Sequence, residues 1–258
     1  AKAYDAKKED VYARIIGLNH LIFFFNIFLN GDDVTDDFIE MLTLGLGSNS
    51  LKNVPNIGFS EKFTRALHMY PISYLKYFFL NKEMVEIAKK DEAEKGTRGE
   101  QTKEIEKNLF ELYKDENLSV KPKELESRGG AYYSDTACSI ISSIYNNKKE
   151  IHVVNTTNNG TVSDLPENAV IETNAMIDKD GAHPIVYGKL PAKIRGLIQS
   201  VKAYEELTVE AAITGDYDTA LLALSIHPLV PSADIAESIL NDLLEVNKEY
   251  LPQYSAKK

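Results

Sequence analysis

The sequence predicts an α+β fold with mixed or antiparallel strands and many helices. Two early runs of β-branched and aromatic residues, 14–19 and 22–29, are typical of strands, whereas the last seventy residues carry a helical apolar spacing. Predicted strands and helices alternate without a regular β-α-β rhythm. No Gly-x-Gly-x-x-Gly follows a predicted strand, so we expect no dinucleotide-binding fold in these residues.

The first half of the chain is predicted to run from strands into helices. Residues 14–19 and 22–29 are closely joined, and the Asn30-Gly31 dipeptide then predicts a turn. A helix is expected from Thr35, because acidic residues fill its first turn and apolar residues follow at helical spacing. Residues 45–58 are predicted to be a loop.

Three helical stretches are expected next. Residues 60–81 read as an aromatic-rich helix interrupted at Pro71. Residues 82–114 have helical spacing, which is weakest where Gly96 and Gly99 flank Thr97-Arg98. Residues 127–145 open with Arg-Gly-Gly and predict a buried helix.

The second half is predicted to return to strands and end in helices. Residues 158–160 (Asn-Asn-Gly) are a hairpin signal. Strands are expected at 151–154, 170–177 and 184–187. Three amphipathic helices are expected at about 191–213, 216–226 and 233–248. We expect residues 1–258 to form one substrate-binding and oligomerisation domain.

Composition excludes several classes of function. With 39 acidic and 29 basic residues the net charge is −10, and no basic stripe stands out, so we expect neither nucleic acid nor a membrane surface as a partner. No window approaches twenty apolar residues. One cysteine and no signal peptide favour the cytoplasm. A small phosphorylated ligand remains compatible, because it needs only one local cation.

His20 and a group of tyrosines are the first candidate functional residues. His20 lies at the junction of two predicted strands, where it is either a hydrogen-bonded core histidine or one metal ligand of several. Tyr70, Tyr74 and Tyr77 share one face if their segment is helical, and core packing explains most of them. A catalytic tyrosine would need a nearby cation, since its ordinary pKa is about 10.

Arg98 and Arg128 are the candidate anion ligands. Both are flanked by glycines, which let a ligand approach the backbone, although each is also compatible with an exposed structural role. His227, within His-Pro-Leu-Val-Pro, is interpreted as a structural loop residue, and Cys138 as a small buried apolar residue.

Six segments, in order, resemble glycoside hydrolase family 4, the NAD-dependent 6-phosphoglycosidases. Gly17-Leu18-Asn19-His20-Leu21 resembles the family's second metal-ligand motif, and Tyr74-Leu75-Lys76-Tyr77-Phe78 resembles its Tyr-Leu-Arg-Tyr-Tyr. Gly96-Thr97-Arg98-Gly99-Glu100 resembles its Thr-Arg-Ala-Glu segment. Residues 128–134, 154–160 and 227–230 follow in the family's order. The match covers nearly the whole chain and is closest to the 6-phospho-β-glucosidases.

The resemblance implies a redox-elimination mechanism on a phosphorylated disaccharide or an aryl β-glucoside 6-phosphate. NAD⁺ removes a hydride from C3, a base takes the acidified proton at C2, the aglycone leaves C1, water adds and the hydride returns. A divalent metal, typically Mn²⁺, binds the C2 and C3 oxygens. A homo-oligomer is expected.

The same resemblance assigns roles to individual residues. His20 would be a metal ligand, Tyr74 the base at C2 and Arg98 the ligand of the 6-phosphate. Tyr77 is the alternative base, while Asn19 and Arg128 would contact the substrate or support those that do. No residue of this chain is assigned to the cofactor.

Departures from the family pattern set further expectations. The family's N-terminal Rossmann domain, its Gly-rich NAD loop and its Cys-Asn ligand motif should precede this chain, and Cys138 does not match that cysteine. We therefore expect the isolated chain to be inactive. Three alternatives stay open: a 6-phospho-α-glucosidase, an α-galactosidase or α-galacturonase of the same family, and a non-catalytic assembly domain built on the C-terminal helices.

Overall fold

A computed structural model describes residues 1, 4–44, 54–55, 57–128 and 133–255. The chain divides into two compact units, one formed by Ala1–Thr156 with Glu172–Ile185 and the other by Thr157–Ile171 with Val186–Lys258. The α+β expectation is confirmed, because an antiparallel sheet and many helices are both present. The assignment of residues 1–258 to one substrate-binding domain stays a prediction.

The strands of the described residues belong to one sheet with the path β3-β2-β1-β6-β5, to which β4 adds on β2 and β7 on β6. They are β1 (Val11–Leu18), β2 (Leu21–Leu29), β3 (Asp32–Asp33), β4 (Tyr70–Pro71), β5 (Glu150–Thr157), β6 (Val170–Asp178) and β7 (Gly181–Pro184). The predicted strand at 184–187 is wrong in its bounds, because β7 covers Gly181–Pro184 and only one further bond to β6 follows, from the Ile185 N–H to the Asn174 carbonyl.

The β1–β2 hairpin is the largest strand pair of the sheet. Its register runs from Val11 opposite Leu29 to Leu18 opposite Leu21, so only Asn19 and His20 form the turn. Gly17 allows this tight closure: a Cβ there would fall on the Leu21 carbonyl oxygen and 2.8 Å from the Cα of Ile22. The hairpin's side chains form the core of this unit, where Phe23, Ile16 and Leu18 are almost fully buried.

Strand β6 holds β1 partly through side chains. Regular pairing covers only Ile16 with Thr173 and Gly17 with Glu172. Beyond it, the Asn174 amide accepts from the backbone N–H of Ile15 at 2.7 Å and donates to the carbonyl of Ala13 at 3.1 Å. These bonds replace two missing ladder bonds in a buried place, where unpaired backbone groups are costly.

The helices of the first unit are α1 (Thr35–Thr43), α2 (Glu61–Leu67), α3 (Lys76–Phe79), α4 (Asn81–Lys95), α5 (Arg98–Leu112), α6 (Glu124–Arg128) and α7 (Tyr133–Tyr145). The predicted weakness around Gly96 is confirmed as a break between α4 and α5. The interruption at Pro71 is also confirmed, but it is larger than expected, because residues 70–71 form β4 and a 3₁₀ turn covers Ser73–Leu75. Most of the loop predicted at 45–58 lies outside the described residues.

Helix α7 is less buried than its sequence predicts. Ile141 is 62% exposed and Tyr145 87% exposed, and Cys138 is exposed as well, so the interpretation of Cys138 as a buried apolar residue is wrong. The helix is anchored instead by Ser143, whose buried hydroxyl donates to the Ile177 carbonyl at 2.7 Å. An apolar helical stripe therefore does not by itself identify a core helix.

The second unit begins with a loop organised by one buried asparagine. Asn158 donates to the carbonyls of Val162, Leu165 and Pro166, and its own side-chain oxygen accepts from the N–H of Val162 at 2.7 Å. Its side chain is fully buried. The turn predicted at 158–160 is present, but strand structure resumes only at Val170, so the signal marks a structured loop rather than a two-residue hairpin.

Helices form the remainder of the second unit: α8 (Ala192–Thr214), α9 (Tyr217–Ile226), α10 (Ala233–Val246) and α11 (Pro252–Ser255). The three predicted C-terminal helices are thus confirmed. Ala211, Ala220 and Leu240 form their buried cluster. Gly215 ends α8 in the left-handed region (φ 67°), and Tyr254 returns to donate to the Ala211 carbonyl at 2.8 Å.

His227 follows α9 and supports the loop after it. Its Nδ1 accepts from the backbone N–H of Leu229 at 3.2 Å, and its ring packs edge-on against Tyr204. Burial lowers the pKa of His227, which agrees with an unprotonated Nδ1. These contacts are those of a structural loop residue.

None of the described helices combines the length and the apolar composition needed to cross a lipid bilayer.

Replacing Gly17 by alanine should destabilise the protein by about 1–3 kcal/mol, because the added methyl group forces the hairpin backbones apart. Chemical denaturation of the two proteins measures the difference. Gly196→Ala is the matched control, since a Cβ at that helical position meets nothing within 4 Å and alanine favours a helix. A Gly17→Ala protein as stable as the wild type would contradict the close approach.

Candidate functional site

His20 occupies the second position of the β1–β2 turn with a left-handed backbone (φ 64°). Histidine is one of the few non-glycine residues enriched in this region, which nevertheless costs it about 1–3 kcal/mol. The side chain is exposed, so the expected alternative of a buried core histidine is wrong. Backbone strain at an exposed polar residue is a common property of functional turns.

A carboxylate from β6 lies near this turn. Glu172 is opposite Gly17 in the β1–β6 ladder. The Glu172 side chain is partly buried. Burial raises the pKa of its carboxyl group, and the backbone N–H of His20 opposes that rise.

Tyr74 stacks directly on the imidazole of His20. The two ring centroids are 4.3 Å apart and the ring planes are inclined by 20°. The contact follows from strand pairing: β4 joins β2 through Phe23 with Pro71, and this pairing delivers the following 3₁₀ turn to the end of the hairpin. Leu75, fully buried beside Tyr74, anchors that turn. The stack limits the orientation of both rings.

The three tyrosines do not share one helical face, because β4 and the 3₁₀ turn replace the helix. Tyr70 packs edge-on against Phe24 and Phe38, within the aromatic core and away from the His20 stack. Tyr77 is partly exposed near Tyr74. Burial raises the pKa of Tyr77, Tyr74 raises it further, and Arg98 opposes the rise.

Arg98 begins helix α5 and is exposed. The preceding Thr97 forms a capping box with Glu100, which fixes the first turn of the helix and hence the start of the Arg98 side chain. The guanidinium donates to the Ser127 carbonyl at 2.8 Å. Because that acceptor is neutral, this bond leaves the positive charge uncompensated. The positive charge of Arg98 lowers the pKa of Tyr77, so the guanidinium acts electrostatically on that tyrosine.

Lys76 supports the same segment from inside. It is 6% exposed, and its ammonium group donates to the Pro55 carbonyl at 3.0 Å. Burial lowers the pKa of Lys76. The residue therefore ties the start of α3 to the chain around Pro55, behind Tyr74 and Tyr77.

The described residues supply one nitrogen donor for a metal at this place, not a complete site. Within residues 1, 4–44, 54–55, 57–128 and 133–255, no group of three or more His, Cys, Asp or Glu side chains is arranged to hold a metal ion. An exposed imidazole on a fixed turn fits the role of one ligand among several. Further donors would have to come from outside these residues.

The structure describes Asn19 fully but not the side chain of Arg128. Asn19 is exposed beside His20 in the turn, where a substrate contact stays a prediction. The Arg128 side chain and residues 129–132 lie outside the described part of the chain. Two further histidines, His68 and His183, have Nε2 at 3.0 and 2.8 Å from carboxylate oxygens of Asp36 and Asp178, and these are local contacts.

Comparison with known proteins identifies the family. Residues 15–230 match the model of the Family 4 glycosyl hydrolase C-terminal domain. The chain belongs to this family. The family assignment inferred from the sequence motifs is therefore confirmed, and the matched range includes the His20 turn, the Tyr74 segment, Arg98 and Glu172.

Named relatives agree with the family assignment. The chain is 46% identical over 254 residues to a probable 6-phospho-β-glucosidase of Bacillus subtilis and 37% identical over 250 residues to a 6-phospho-β-glucosidase of Escherichia coli. These alignments cover 98% and 96% of the chain, but 58% and 55% of the relatives. The chain therefore spans little more than half the length of these family 4 relatives.

A solved family 4 structure has the same fold. The 6-phospho-β-glucosidase of Thermotoga maritima, determined with manganese, NAD⁺ and glucose 6-phosphate, superposes with a TM-score of 0.83 at 34% identity. The superposition covers 97% of this chain and 57% of the Thermotoga chain.

The sequence predicts His20, Tyr74 and Arg98 as site residues but gives no role to two residues next to them, Lys76 and Glu172. Lys76 lies inside the Tyr74–Phe78 segment and carries no separate signal. Glu172 belongs to a polar run, Glu172-Thr173-Asn174, within an otherwise apolar strand. That interruption of the strand's apolar pattern is the signal that could have identified it, since a partly buried carboxylate needs a donor.

Proposed function

We propose that this chain is the C-terminal, substrate-binding portion of an enzyme that hydrolyses 6-phosphorylated β-glucosides with NAD and a divalent metal, Mn²⁺ being expected. The observation that carries the proposal is the His20–Tyr74 stack, which pairs a potential metal ligand with a potential base. Identity to proteins named 6-phospho-β-glucosidases supports the β linkage. The proposed location is the cytoplasm.

Tyr74 is proposed to remove the proton at C2 of the sugar. A phenol with the ordinary pKa of about 10 is a poor base near neutral pH, so it needs a cation close to its oxygen. When bound, a divalent cation would supply that charge and polarise the sugar hydroxyl groups. His20 is the described residue that would hold the cation, and its ring contact keeps Tyr74 beside it.

Arg98 is proposed to bind the 6-phosphate. The guanidinium fork forms charge-assisted hydrogen bonds with phosphate oxygens, and the amino end of α5 adds a favourable dipole. Its neutral acceptor at Ser127 leaves this charge available to an anion. Tyr77 is the alternative base. Tyr74 raises the pKa of Tyr77 and Arg98 lowers it.

No described residue of this chain is assigned to NAD, and one metal ligand is insufficient for tight binding. We therefore propose that the isolated 258-residue chain is inactive and binds neither group tightly. A homo-oligomer is also proposed, because α8–α10 expose apolar side chains such as Ile213, Leu222 and Val246.

The proposed function is tested with p-nitrophenyl β-glucoside 6-phosphate and the natural protein that contains this chain. Release of p-nitrophenol should require both NAD⁺ and a divalent metal, and product formed in D₂O should carry deuterium at C2. Turnover without NAD⁺ or metal would contradict the mechanism. Faster turnover of the α-linked substrate would instead indicate a 6-phospho-α-glucosidase.

Replacing Tyr74 by phenylalanine should lower kcat by about 10²–10⁴-fold, the usual loss when a general base is removed. Phenylalanine keeps the ring that contacts His20, so the change isolates the hydroxyl group. Tyr77→Phe is the matched control and should leave kcat nearly unchanged. A larger loss in Tyr77→Phe than in Tyr74→Phe would assign the base to Tyr77.

Replacing Arg98 by glutamine should raise KM for the phosphorylated substrate by about 10–150-fold, because a charged hydrogen bond contributes roughly 1.5–3 kcal/mol. Arg65→Gln is the control, since Arg65 is paired with Glu40 and Glu61 and takes no part in the proposed site. A loss of thermal stability in Arg98→Gln with an unchanged KM would show that Arg98 serves only to tie α5 to Ser127.

A further inference from the structure

Lys76 is a charged residue in a buried place next to the candidate site. It is 6% exposed, and burial lowers the pKa of its ammonium group. Removing an ammonium group from water costs free energy unless hydrogen bonds compensate. Among the described residues its acceptor is the carbonyl oxygen of Pro55, which is 3.0 Å away and 21 positions earlier in the chain. An apolar side chain would fill the same space at a lower cost, so packing alone does not explain the charged group.

The acceptor of this bond is itself held in place. Val54, which precedes Pro55, is 4% exposed and belongs to the buried core. The bond therefore joins the start of α3 to a part of the chain that packing anchors. Since a hydrogen bond weakens steeply when donor and acceptor are misaligned, it restricts the direction of the Lys76 side chain and not only its distance from Pro55.

Lys76 and Tyr74 lie on one short helical segment. The 3₁₀ turn Ser73–Leu75 runs directly into α3, which begins at Lys76. Side chains two positions apart on such a backbone do not face the same way. The Lys76 side chain reaches Pro55, whereas the Tyr74 ring stacks on His20 with 4.3 Å between the ring centroids. A rotation of the segment that breaks the first contact therefore disturbs the second.

The other anchors of this segment restrict its rotation only weakly. At its start, β4 pairs with β2 over two residues, and one longer bond follows from the Ile72 N–H to the Ile22 carbonyl at 3.5 Å. Within the segment Leu75 is fully buried, but burial of an apolar side chain has no preferred direction. The bond from Lys76 adds a directional contact at the other end of the 3₁₀ turn.

We propose that Lys76 is a positioning residue: through its hydrogen bond to the Pro55 carbonyl it sets the rotation of the 3₁₀ turn, so that the ring of Tyr74 lies against the imidazole of His20. Without this donor the turn rotates about its buried leucine, and the two rings separate. The importance of the stack for catalysis rests on the function proposed above. The positioning itself does not, and it can be measured without substrate, NAD or metal.

The ring-proton chemical shifts of His20 report the stack directly. They are measured in the natural protein that contains this chain, with ¹³C-labelled histidine rings and with divalent metal removed by a chelator. His20→Gln identifies the signal that belongs to His20. A ring centred 4.3 Å from Tyr74 should shift this signal upfield through the aromatic ring current, and Tyr74→Leu gives the position of the unstacked signal.

Two variants of Lys76 separate the donor from the space that it fills. Lys76→Met keeps an unbranched side chain but removes the N–H groups, whereas Lys76→Arg keeps the positive charge and the N–H donors. We expect Lys76→Met to move the His20 signal to the Tyr74→Leu position and Lys76→Arg to keep it upfield. The signals of the other histidines should stay unchanged in both variants, which verifies the fold.

Lys202→Met is the matched control. Lys202 is also 6% exposed and donates to a backbone carbonyl, that of Val170 at 2.9 Å, but it lies on α8 and pairs with Glu205 as well. Its replacement should lower the melting temperature, because it leaves that carbonyl without this partner, while the His20 signal stays upfield. Movement of the His20 signal in Lys202→Met would show that the loss of any buried lysine disturbs the stack, which would overturn the proposal.

Two further results would also reject the positioning role. An upfield His20 signal in Lys76→Met would show that packing alone holds the turn. A moved signal in both Lys76→Met and Lys76→Arg, with the other histidines unchanged, would show that the fit of the side chain matters and not its donor. If Lys76→Met fails to fold, Lys76→Gln replaces it, because its N–H groups end one bond earlier than the ammonium group, and the same two criteria apply.

The activity and the NMR result fail separately. In the catalytically competent protein, Lys76→Met should lower kcat about 10²-fold with little change in KM, because a small misplacement of a catalytic group has that effect, and Lys76→Arg should restore most of the loss. If the His20 signal moves in Lys76→Met while kcat is unchanged, the stack is not catalytic, which rejects the proposed function and not the positioning. If kcat falls while the signal stays upfield, Lys76 acts on catalysis by another route and the positioning role is rejected.

Discussion

Closure of the β1–β2 hairpin is the constraint on which the candidate site depends. The chain reverses within two residues only because Gly17 lets the carbonyl of Leu21 occupy the space of a side chain. That reversal places His20 at the tip, in a backbone conformation that orients its ring toward the next segment. The aromatic core around Phe23 stabilises the hairpin, so packing free energy maintains the strained turn.

The same hairpin organises the two other contributors to the site. Its second strand pairs with β4 and thereby brings the Tyr74 turn to the tip. Its first strand pairs with β6, which brings Glu172 opposite Gly17, close to the turn. Three segments far apart in sequence thus meet at one end of the sheet. The two segments that join the hairpin are each held by a short pairing of two residues, which makes the geometry of the hairpin decisive.

The elements predicted from local patterns agree with the structure, whereas those that depend on distant partners do not. Strands β1 and β2 and helices α8–α10 have strong periodicity and were predicted nearly at their bounds. Residues 70–71 look helical in sequence, but their pairing with β2 overrides that preference and forms β4. Cys138 and Ile141 follow an apolar helical stripe and are nevertheless exposed.

The candidate site residues were predicted from resemblance to family motifs and not from local periodicity. Composition and spacing left His20 with two interpretations and the tyrosines with mostly structural ones. Resemblance to the family motifs selected His20, Tyr74 and Arg98, and the structure brings the first two into ring contact. Glu172 could not be found in this way, because only the pairing of β6 with β1 brings it opposite Gly17, 155 positions earlier in the chain.

The distribution of charge bears on the phosphate binding proposed for this acidic chain. The net charge of −10 repels a sugar phosphate, which carries about −1.5 to −2 near neutral pH. Screening limits that repulsion to roughly 8 Å at physiological salt, so recognition depends on charges at contact distance. Arg65 is neutralised by two glutamates, but the hydrogen bond from Arg98 to a carbonyl leaves its cation uncompensated. The phosphate recognition proposed for Arg98 therefore rests on one guanidinium at the start of α5 and not on the field of the whole protein.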